Sequence, residues 1–294
     1  MKGDDYMLIP DKSICDLHVH SYFSDGVDSP EALIAKAEAE NIRAIALTDH
    51  NTIGGVREFM ALADGSGVIG VPGIEFTTEH EGMELHILGL FLKADTYDEI
   101  EAYVGEQLKR KEKSNIECVE RLRQRGYNIE FQKIKDKTPA TSINRVHIAR
   151  ELMEKGYVES VSQAFATLLS QKGSFYKAPK KLSSLDTINY IKSWGAAAVW
   201  AHPFLNMDKD EIINLIPRVI DCGLCGVETS YPLYTPCQAE FLKELCREKG
   251  LLESGGSDYH GDNKPENTLG RGTGGLFIEG YIYNRLHEYI IGQR

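Results

Sequence analysis

Six of the nine histidines in this 294-residue chain stand where strand ends would gather them beside carboxylates. Imidazole mixed with carboxylate is the chemistry of divalent metal binding. The densest group is Asp16-Leu17-His18-Val19-His20. With nine histidines in 294 residues, chance alone yields a His-x-His pair about 0.3 times, so the pair by itself is weak. Its setting strengthens it. The run alternates as a strand does, so Asp16, His18 and His20 share one face and Cys15, Leu17 and Val19 the other. Two imidazoles on one strand face can chelate a single metal, and Asp16 on that face can orient one of them.

Further candidates end other strands. His50 follows Ile45-Ala46-Leu47-Thr48-Asp49, Glu75 follows Val71-Pro72-Gly73-Ile74, and His202 follows Ala197-Ala198-Val199-Trp200-Ala201. Asp258 and His260 follow Leu251-Leu252-Glu253-Ser254 and a Gly255-Gly256 turn; Asp25 lies in the loop after the first strand and His86 inside a hairpin strand. Strand carboxyl ends are where α/β barrels and open sheets place their sites. Any one of these residues alone is more simply a satisfied core or surface group. Together they share one kind of location and read as a metal cluster. His80, His147 and His287 remain outside it.

These residues need strands to carry them. In the first third, Ser13 to His20 is a short strand. Ser29 caps a helix that Pro30 opens and that runs to about Glu40. Arg43 to Thr48 and Val68 to Val71 are strand-like, with a helix after Gly54-Gly55 between them. Phe76 to Leu90 holds two strands around the turn Glu79-His80-Glu81-Gly82. The last third resumes the alternation, with strands at Ala196–Ala201, Leu224–Thr229 and Leu251–Ser254 and a helix over Cys237–Lys249. That rhythm argues for parallel βαβ units. Between about Asp98 and Leu182 it breaks. Ile100, Val104 and Leu108, then Ile116, Val119 and Leu122, repeat at helical spacing until Gly126. Ser142–Lys155 and Val161–Gln171 read as two more helices. The basic clusters Lys109-Arg110-Lys111 and Lys180-Lys181 read most simply as solvated faces.

Composition narrows the function. Hydrophobic residues make up 42% and charged residues 26%, ordinary globular material, and the net charge is −11. Such a surface repels phosphate backbones, which disfavours duplex nucleic acid but not a short anion at a local cationic site. No apolar run reaches about 18 residues, and the first residues lead into no apolar signal core, so the expectation is a soluble cytoplasmic protein without a membrane partner. The six cysteines are scattered, and Cys222-x-x-Cys225 has no second pair at zinc spacing, which leaves buried thiols at a helix–strand junction. Composition leaves the oligomeric state open.

The motifs Asp16-Leu17-His18-Val19-His20-Ser21, Ser24-Asp25-Gly26, Thr48-Asp49-His50-Asn51-Thr52, Pro72-Gly73-Ile74-Glu75, His86, Ala201-His202-Pro203 and Gly256-Ser257-Asp258-Tyr259-His260-Gly261 resemble, in this order, the PHP (polymerase and histidinol phosphatase) superfamily of metal-dependent phosphoesterases. The resemblance spans about Ser13 to Gly261. It is closest to the type with a helical insertion that hydrolyses nucleoside 3′,5′-bisphosphates and acts on short RNA ends. That type carries an Arg-Pro-His-x-Ala-Arg stretch, which here reads Arg145-Val146-His147-Ile148-Ala149-Arg150. The resemblance implies an α/β fold, a distorted (β/α)7 TIM-like barrel formed by residues 13–97 and 183–294, with residues 98–182 as an inserted helical domain for substrate recognition.

It also implies a trinuclear centre. His18, His20, Glu75 and Asp258 would hold one ion, Glu75 would bridge to a second held by His86 and His202, and Asp25, His50 and His260 would hold a third. Three divalent ions with three carboxylates and six neutral imidazoles leave a residual +3, which balances a phosphate dianion and a hydroxide. The implied reaction is hydrolysis of a phosphate monoester by metal-bound hydroxide, with Glu75 and Asp258 as bridging or supporting ligands. Carboxylates among the ligands favour Mn²⁺, with Fe²⁺ or Zn²⁺ also suited. Arg145 and His147 are the expected grips on a second phosphate, Arg150 and Arg271 weaker ones. The expected substrate is a small phosphorylated nucleotide or short oligonucleotide. Alternatives are histidinol phosphate as substrate and, in another class, a polymerase-associated nucleic-acid-binding module.

Overall fold

Apolar β-type runs separated by well-capped helices set the order of elements. The computed structural model describes residues 7–138, 143–170, 175–273 and 275–293. The chain runs β1 (Ile14–Val19), α1 (Pro30–Ala39), β2 (Ile42–Leu47), α2 (Val56–Asp64), β3 (Ile69–His80), β4 (Met83–Leu90), α3 (Tyr97–Gln124), α4 (Phe131–Lys137), α5 (Arg145–Glu154) and α6 (Val161–Ala166). It continues with β5 (Leu182–Ser183), α7 (Ser184–Ser193), β6 (Ala197–Ala201), α8 (Lys209–Asp221), β7 (Gly226–Ser230), α9 (Pro236–Lys249), β8 (Leu252–Gly255) and α10 (Gly280–Gly292). Ser29 caps α1 by accepting the Ala32 N–H at 3.1 Å, and Thr235 and Gln238 form a reciprocal capping box on α9. The strand expected at Val68–Val71 and the first of the two expected within Phe76–Leu90 are one 12-residue strand, β3. The ends expected at Ser142 and Gln171 lie outside the described residues.

The eight strands form one mostly parallel sheet in the order β1-β2-β3-β4-β6-β7-β8, with β5 beside β3. β4 alone runs against its neighbours, pairing antiparallel with β3 and β6. The expected barrel is not closed by a hydrogen-bonded ladder; the sheet is open. Its two edges meet just past β8, where His20 N–H donates to Tyr259 O at 3.0 Å and Asp258 N–H to His18 O at 2.9 Å. The reason is a contact between residues far apart in the chain. At Gly256 an added Cβ would lie 2.1 Å from His18 Cβ, so the chain leaving β8 passes tightly against β1 instead of continuing as a strand beside it. β1 is itself irregular, with a register shift between Asp16 and Val19.

Helices cover the sheet with Leu33, Phe59, Ile188, Ile191, Ile212 and Leu215. A second cluster joins Leu17, Val71 and Val199 to Ile282, Leu286 and Ile290 of α10. α3 links two cores. Ile100 and Val104 pack with the sheet, while Cys118, Val119 and Leu122 pack with Ile134, Ile148, Leu152 and Leu169 of the helical segment. Fully burying each such aliphatic side chain contributes about 1.5–3 kcal/mol. None of the helices is long and apolar enough to cross a membrane, among the described residues. Both cysteines of the pair are free thiols at the junction of α8 and β7; Cys225 is buried as expected, with its thiol on Ala198 O at 3.3 Å, whereas Cys222, at the end of α8, is only half-buried.

Candidate metal centre

β1, β2, β6 and β8 point their carboxyl ends at one spot, while β3, β4 and β7 cross it with Glu75, His86 and Glu228; Glu75 therefore lies inside a strand and not at the strand end expected, because the chain continues into the β3–β4 hairpin. All nine expected ligands arrive there. Their donor atoms fall into four overlapping groups, each within 4.8 Å: His20, Asp25, His50 and His260; His18, Glu75 and His202; His18, His20 and Asp258; and His50, Glu75 and His86. Glu75 is the hub. Its Oε1 lies 2.8 Å from His86 Nδ1 and 3.0 Å from His202 Nε2. Its Oε2 lies 2.9 Å from His50 Nδ1 and 3.3 Å from both His18 Nε2 and His20 Nε2.

These residues fit divalent cations. His18 Nε2, both nitrogens of His20, His50 Nδ1 and Glu75 Oε2 are buried with no hydrogen bond. They approach one another closely but without hydrogen-bonding alignment. Buried polar atoms without a partner are costly and rare, and here they converge on common points, as ligand atoms do. The donor set, six imidazoles and three carboxylates without thiolate, suits Mn²⁺, Fe²⁺ or Zn²⁺.

The electrostatics follow from that crowding. Burial would raise the carboxyl of Glu75, but His50, His18 and His86 hold it well below the usual carboxylate range. Burial also opposes ionisation of Asp25, yet His50 and His260 keep it well down. Asp258 is likewise held down against burial by His20 and His260. Burial, reinforced by His260, pushes His20 down to about 3, so this ring is a neutral donor at pH 7.

Backbone strain sharpens the placement. His202 and Asp258 occupy left-handed conformations, φ 30° and 51°, which side-chain-bearing residues adopt at a cost and chiefly at functional sites. Buried carboxylates brace the loops. Asp49 accepts from Ser21 N–H at 2.8 Å, Ser21 Oγ at 2.6 Å and Ser24 Oγ at 2.6 Å, fixing the turn that presents Asp25. Asp16 does not touch a ligand imidazole, contrary to the sequence expectation. It accepts from Ser257 N–H at 2.9 Å, Ser257 Oγ at 2.6 Å and Gly270 N–H at 2.8 Å, because β8 passes so close to β1. Asp258 receives Tyr231 OH at 2.9 Å and Lys264 Nζ at 2.7 Å.

A cavity of about 240 Å³ opens from the cluster toward the helical segment. Asp25, His50 and His86 line one wall, and Lys111, Arg145 and Lys181 another. The Arg145 guanidinium is sandwiched 4.3 Å from the Tyr176 ring and 5.2 Å from Phe165, and donates to Leu169 O at 3.2 Å. Burial lowers the Lys111 ammonium to about 8, and Arg145 adds to that. Lys111 and Lys181 are therefore not solvated helix faces, as the sequence suggested; Lys181 is paired with Glu84. Helical spacing held the signal: Gln107, Lys111 and Asn115 share one stripe of α3, and Gln107 and Asn115 are buried.

His147 lines a neighbouring cavity of about 280 Å³ with Tyr22, Lys137 and Arg150. Its Nδ1 accepts the Asn144 N–H at 3.0 Å, closing a capping box at the start of α5. Burial and the nearby Arg150 bring it down to about 4, so it is neutral at pH 7 with its proton on Nε2. Arg150 bonds Asn263, whose side chain bonds Asp25 O, and Arg271 lies over Phe277.

The sequence reading passed over Glu228, Tyr231 and Lys264. Glu228 is the middle residue of β7, as Glu75 lies inside β3, and is 0% exposed.

Known proteins are similar to this chain. The PHP domain family matches residues 16–130. A 5′-3′ exoribonuclease of Haemophilus influenzae is 34% identical over 83% of this chain and 89% of its own length. A phosphoribosyl 1,2-cyclic phosphate 1,2-diphosphodiesterase of Eggerthella lenta is 28% identical over 84% and 94%. A 3′,5′-nucleoside bisphosphate phosphatase of Chromobacterium violaceum is 29% identical over 83% and 86%. A solved structure from Bifidobacterium adolescentis, described as a metal-dependent phosphoesterase, superposes with a TM-score of 0.81 at 27% identity over 93% of this chain and 95% of its own.

Proposed function

The chain belongs to the PHP family and is a metal-dependent phosphoester hydrolase, and from that premise we propose that it removes the 3′-phosphate of nucleoside 3′,5′-bisphosphates and acts on short RNA 5′ ends. The two substrates share one chemistry: a 5′-phosphate to hold and a phosphoester on the 3′ oxygen to break. The observation that carries this reading is the shared cavity, with the ligand cluster on one wall and Arg145 and Lys111 on another. The relatives named for RNA and for bisphosphonucleotides point the same way.

We assign the nine residues to three ions, Mn²⁺ first among them, with Glu75 shared. Bound divalent ions supply Lewis acidity that acidifies a water and neutralises phosphate charge. The protein's own groups do the rest. Glu75 holds five imidazoles in register. Arg145, fixed between two rings, offers its remaining N–H groups to the distal phosphate, with Lys111 adding a second positive charge. His147 keeps the start of α5, and with it Arg145, in place, and its Nε2–H is a further donor.

Helical residues 98–182 then select the substrate and the strand ends perform the hydrolysis. Arg145→Ala tests this. A charge-assisted hydrogen bond to phosphate contributes about 1.5–3 kcal/mol, so kcat/KM on a 3′,5′-bisphosphonucleotide should fall about 10- to 150-fold. Hydrolysis of p-nitrophenyl phosphate should barely change. Equal losses on both would make Arg145 a support of the fold or metal centre; no loss on either would remove the bisphosphate reading.

A further inference from the structure

Among the buried carboxylates outside the ligand set, Glu228 alone reaches a ligand imidazole in the described residues. Asp16 and Asp49 brace hydroxyls and backbone instead. Glu228 is 0% exposed, and both of its oxygens are used. Oε1 lies 3.1 Å from His18 Nδ1, and Oε2 accepts the backbone N–H of His202 at 2.8 Å. His18 comes from β1 and His202 follows β6, so one side chain of β7 ties together two ligands that are distant in sequence.

The chemistry of this contact is directional. A carboxylate only accepts, so His18 Nδ1 must carry the proton. In the neutral ring that a cation would bind, the lone pair is then on Nε2, which faces the cluster at 3.3 Å from Glu75 Oε2 and 3.6 Å from Asp258 Oδ1. That Nε2 is also among the buried nitrogens with no hydrogen bond. The second contact acts on the strained His202 backbone, φ 30°, whose N–H would otherwise be left without its partner.

We propose that Glu228 is a positioning residue for the metal centre, which fixes His18 in its Nδ1–H tautomer so that Nε2 is the ligand atom and holds the left-handed backbone of His202. The proposal rests on the reading of this cluster as a metal site. Glu228→Gln is the sharpest variant because it keeps the shape. One amide end is an oxygen and the other an NH₂, while both partners need acceptors. If the oxygen serves His202 N–H, the NH₂ meets His18 Nδ1 and forces its proton to Nε2, where the metal should bind. If the amide flips, two donors meet at His202.

The test is a zinc titration of chelator-treated wild type and Glu228→Gln against a fluorescent chelator, with far-ultraviolet circular dichroism confirming that both are folded. The free Zn²⁺ at half-loading should rise about 10- to 100-fold in the variant, the range for loss of an outer partner of a ligating histidine. Half-loading at the wild-type Zn²⁺ concentration in a folded variant would overturn the role of Glu228. Should the variant not fold, ¹⁵N spectra of the zinc-loaded wild-type imidazoles decide: His18 bound through Nε2 with a proton on Nδ1 is expected, and His18 bound through Nδ1 would overturn it. If the wild type itself takes up no zinc, what fails is the metal reading, and the proposal falls with it.

Discussion

The strand-end cluster and the helical wall of the same cavity are built in opposite ways. In the cluster, His18, His20 and Glu75 are 0% exposed and His202, Asp258 and His260 no more than 5%. Their positions come from backbone: sheet ladders, two left-handed residues and buried carboxylates that brace loops. On the helical wall, the Arg145 guanidinium is placed by two side-chain rings and one backbone carbonyl, and Lys111 extends from a helix shared by both cores. Geometry built into backbone is hard to alter piecemeal, whereas a side-chain cradle can change residue by residue. One scaffold can thereby keep its chemistry while its relatives bear names as different as exoribonuclease, cyclic phosphate diphosphodiesterase and bisphosphate phosphatase.

That contrast can be broken from either side. The largest effect should come from the hub. Glu75→Gln removes a carboxylate that touches five imidazoles, and activity on every phosphoester should fall by more than about 100-fold, beyond the loss of an outer partner. Metal analysis should show the cause: wild type supplemented with Mn²⁺ should hold three ions per chain and the variant fewer. A wild-type stoichiometry that stays near one would break the three-ion assignment.

Lys111→Met should act more weakly than Arg145→Ala, because an ammonium is a point charge where a guanidinium offers directed donors. Its loss should be about 3- to 30-fold in kcat/KM, confined to substrates with a second phosphate. A comparable loss on p-nitrophenyl phosphate would move Lys111 from the substrate wall to the metal centre.

The smallest effect concerns stability. His147 is held down to about 4 in the fold against about 6.5 unfolded. A depressed folded value contributes stability that is fully present above about 6.5 and is lost as pH falls toward 4. Replacement by Gln should remove that pH dependence. Between pH 6.5 and 4.5 the wild type should lose about 2 °C or more of melting temperature beyond the loss in His147→Gln. Parallel melting curves would mean that His147 titrates normally.

The same division explains what could be read from sequence. The residues of the cluster were legible as a group because strands hold period-2 alternation and because most of them lie at or just past strand carboxyl ends. The helix cap at Ser29 and the hairpin turn at Glu81-Gly82 were legible for local reasons. Glu228 was not legible because it lies inside β7, and a lone acid in a strand carries no spacing signal of its own. Lys111 was missed because a basic run on a helix looks the same whether it faces water or a cavity; only the packing of α3 against two cores decides. The open sheet was not legible either. It depends on how closely Gly256 approaches His18, a long-range contact that no local pattern encodes.

The most direct test compares the ratio of kcat/KM on a 3′,5′-bisphosphonucleotide to that on p-nitrophenyl phosphate in wild type, Glu75→Gln and Arg145→Ala, all with Mn²⁺. Glu75→Gln should lower both rates together and leave the ratio unchanged, while Arg145→Ala should lower the ratio about 10- to 150-fold. A ratio that collapses in Glu75→Gln, or that holds in Arg145→Ala, would contradict the separation of chemistry at the strand ends from selection on the helical wall.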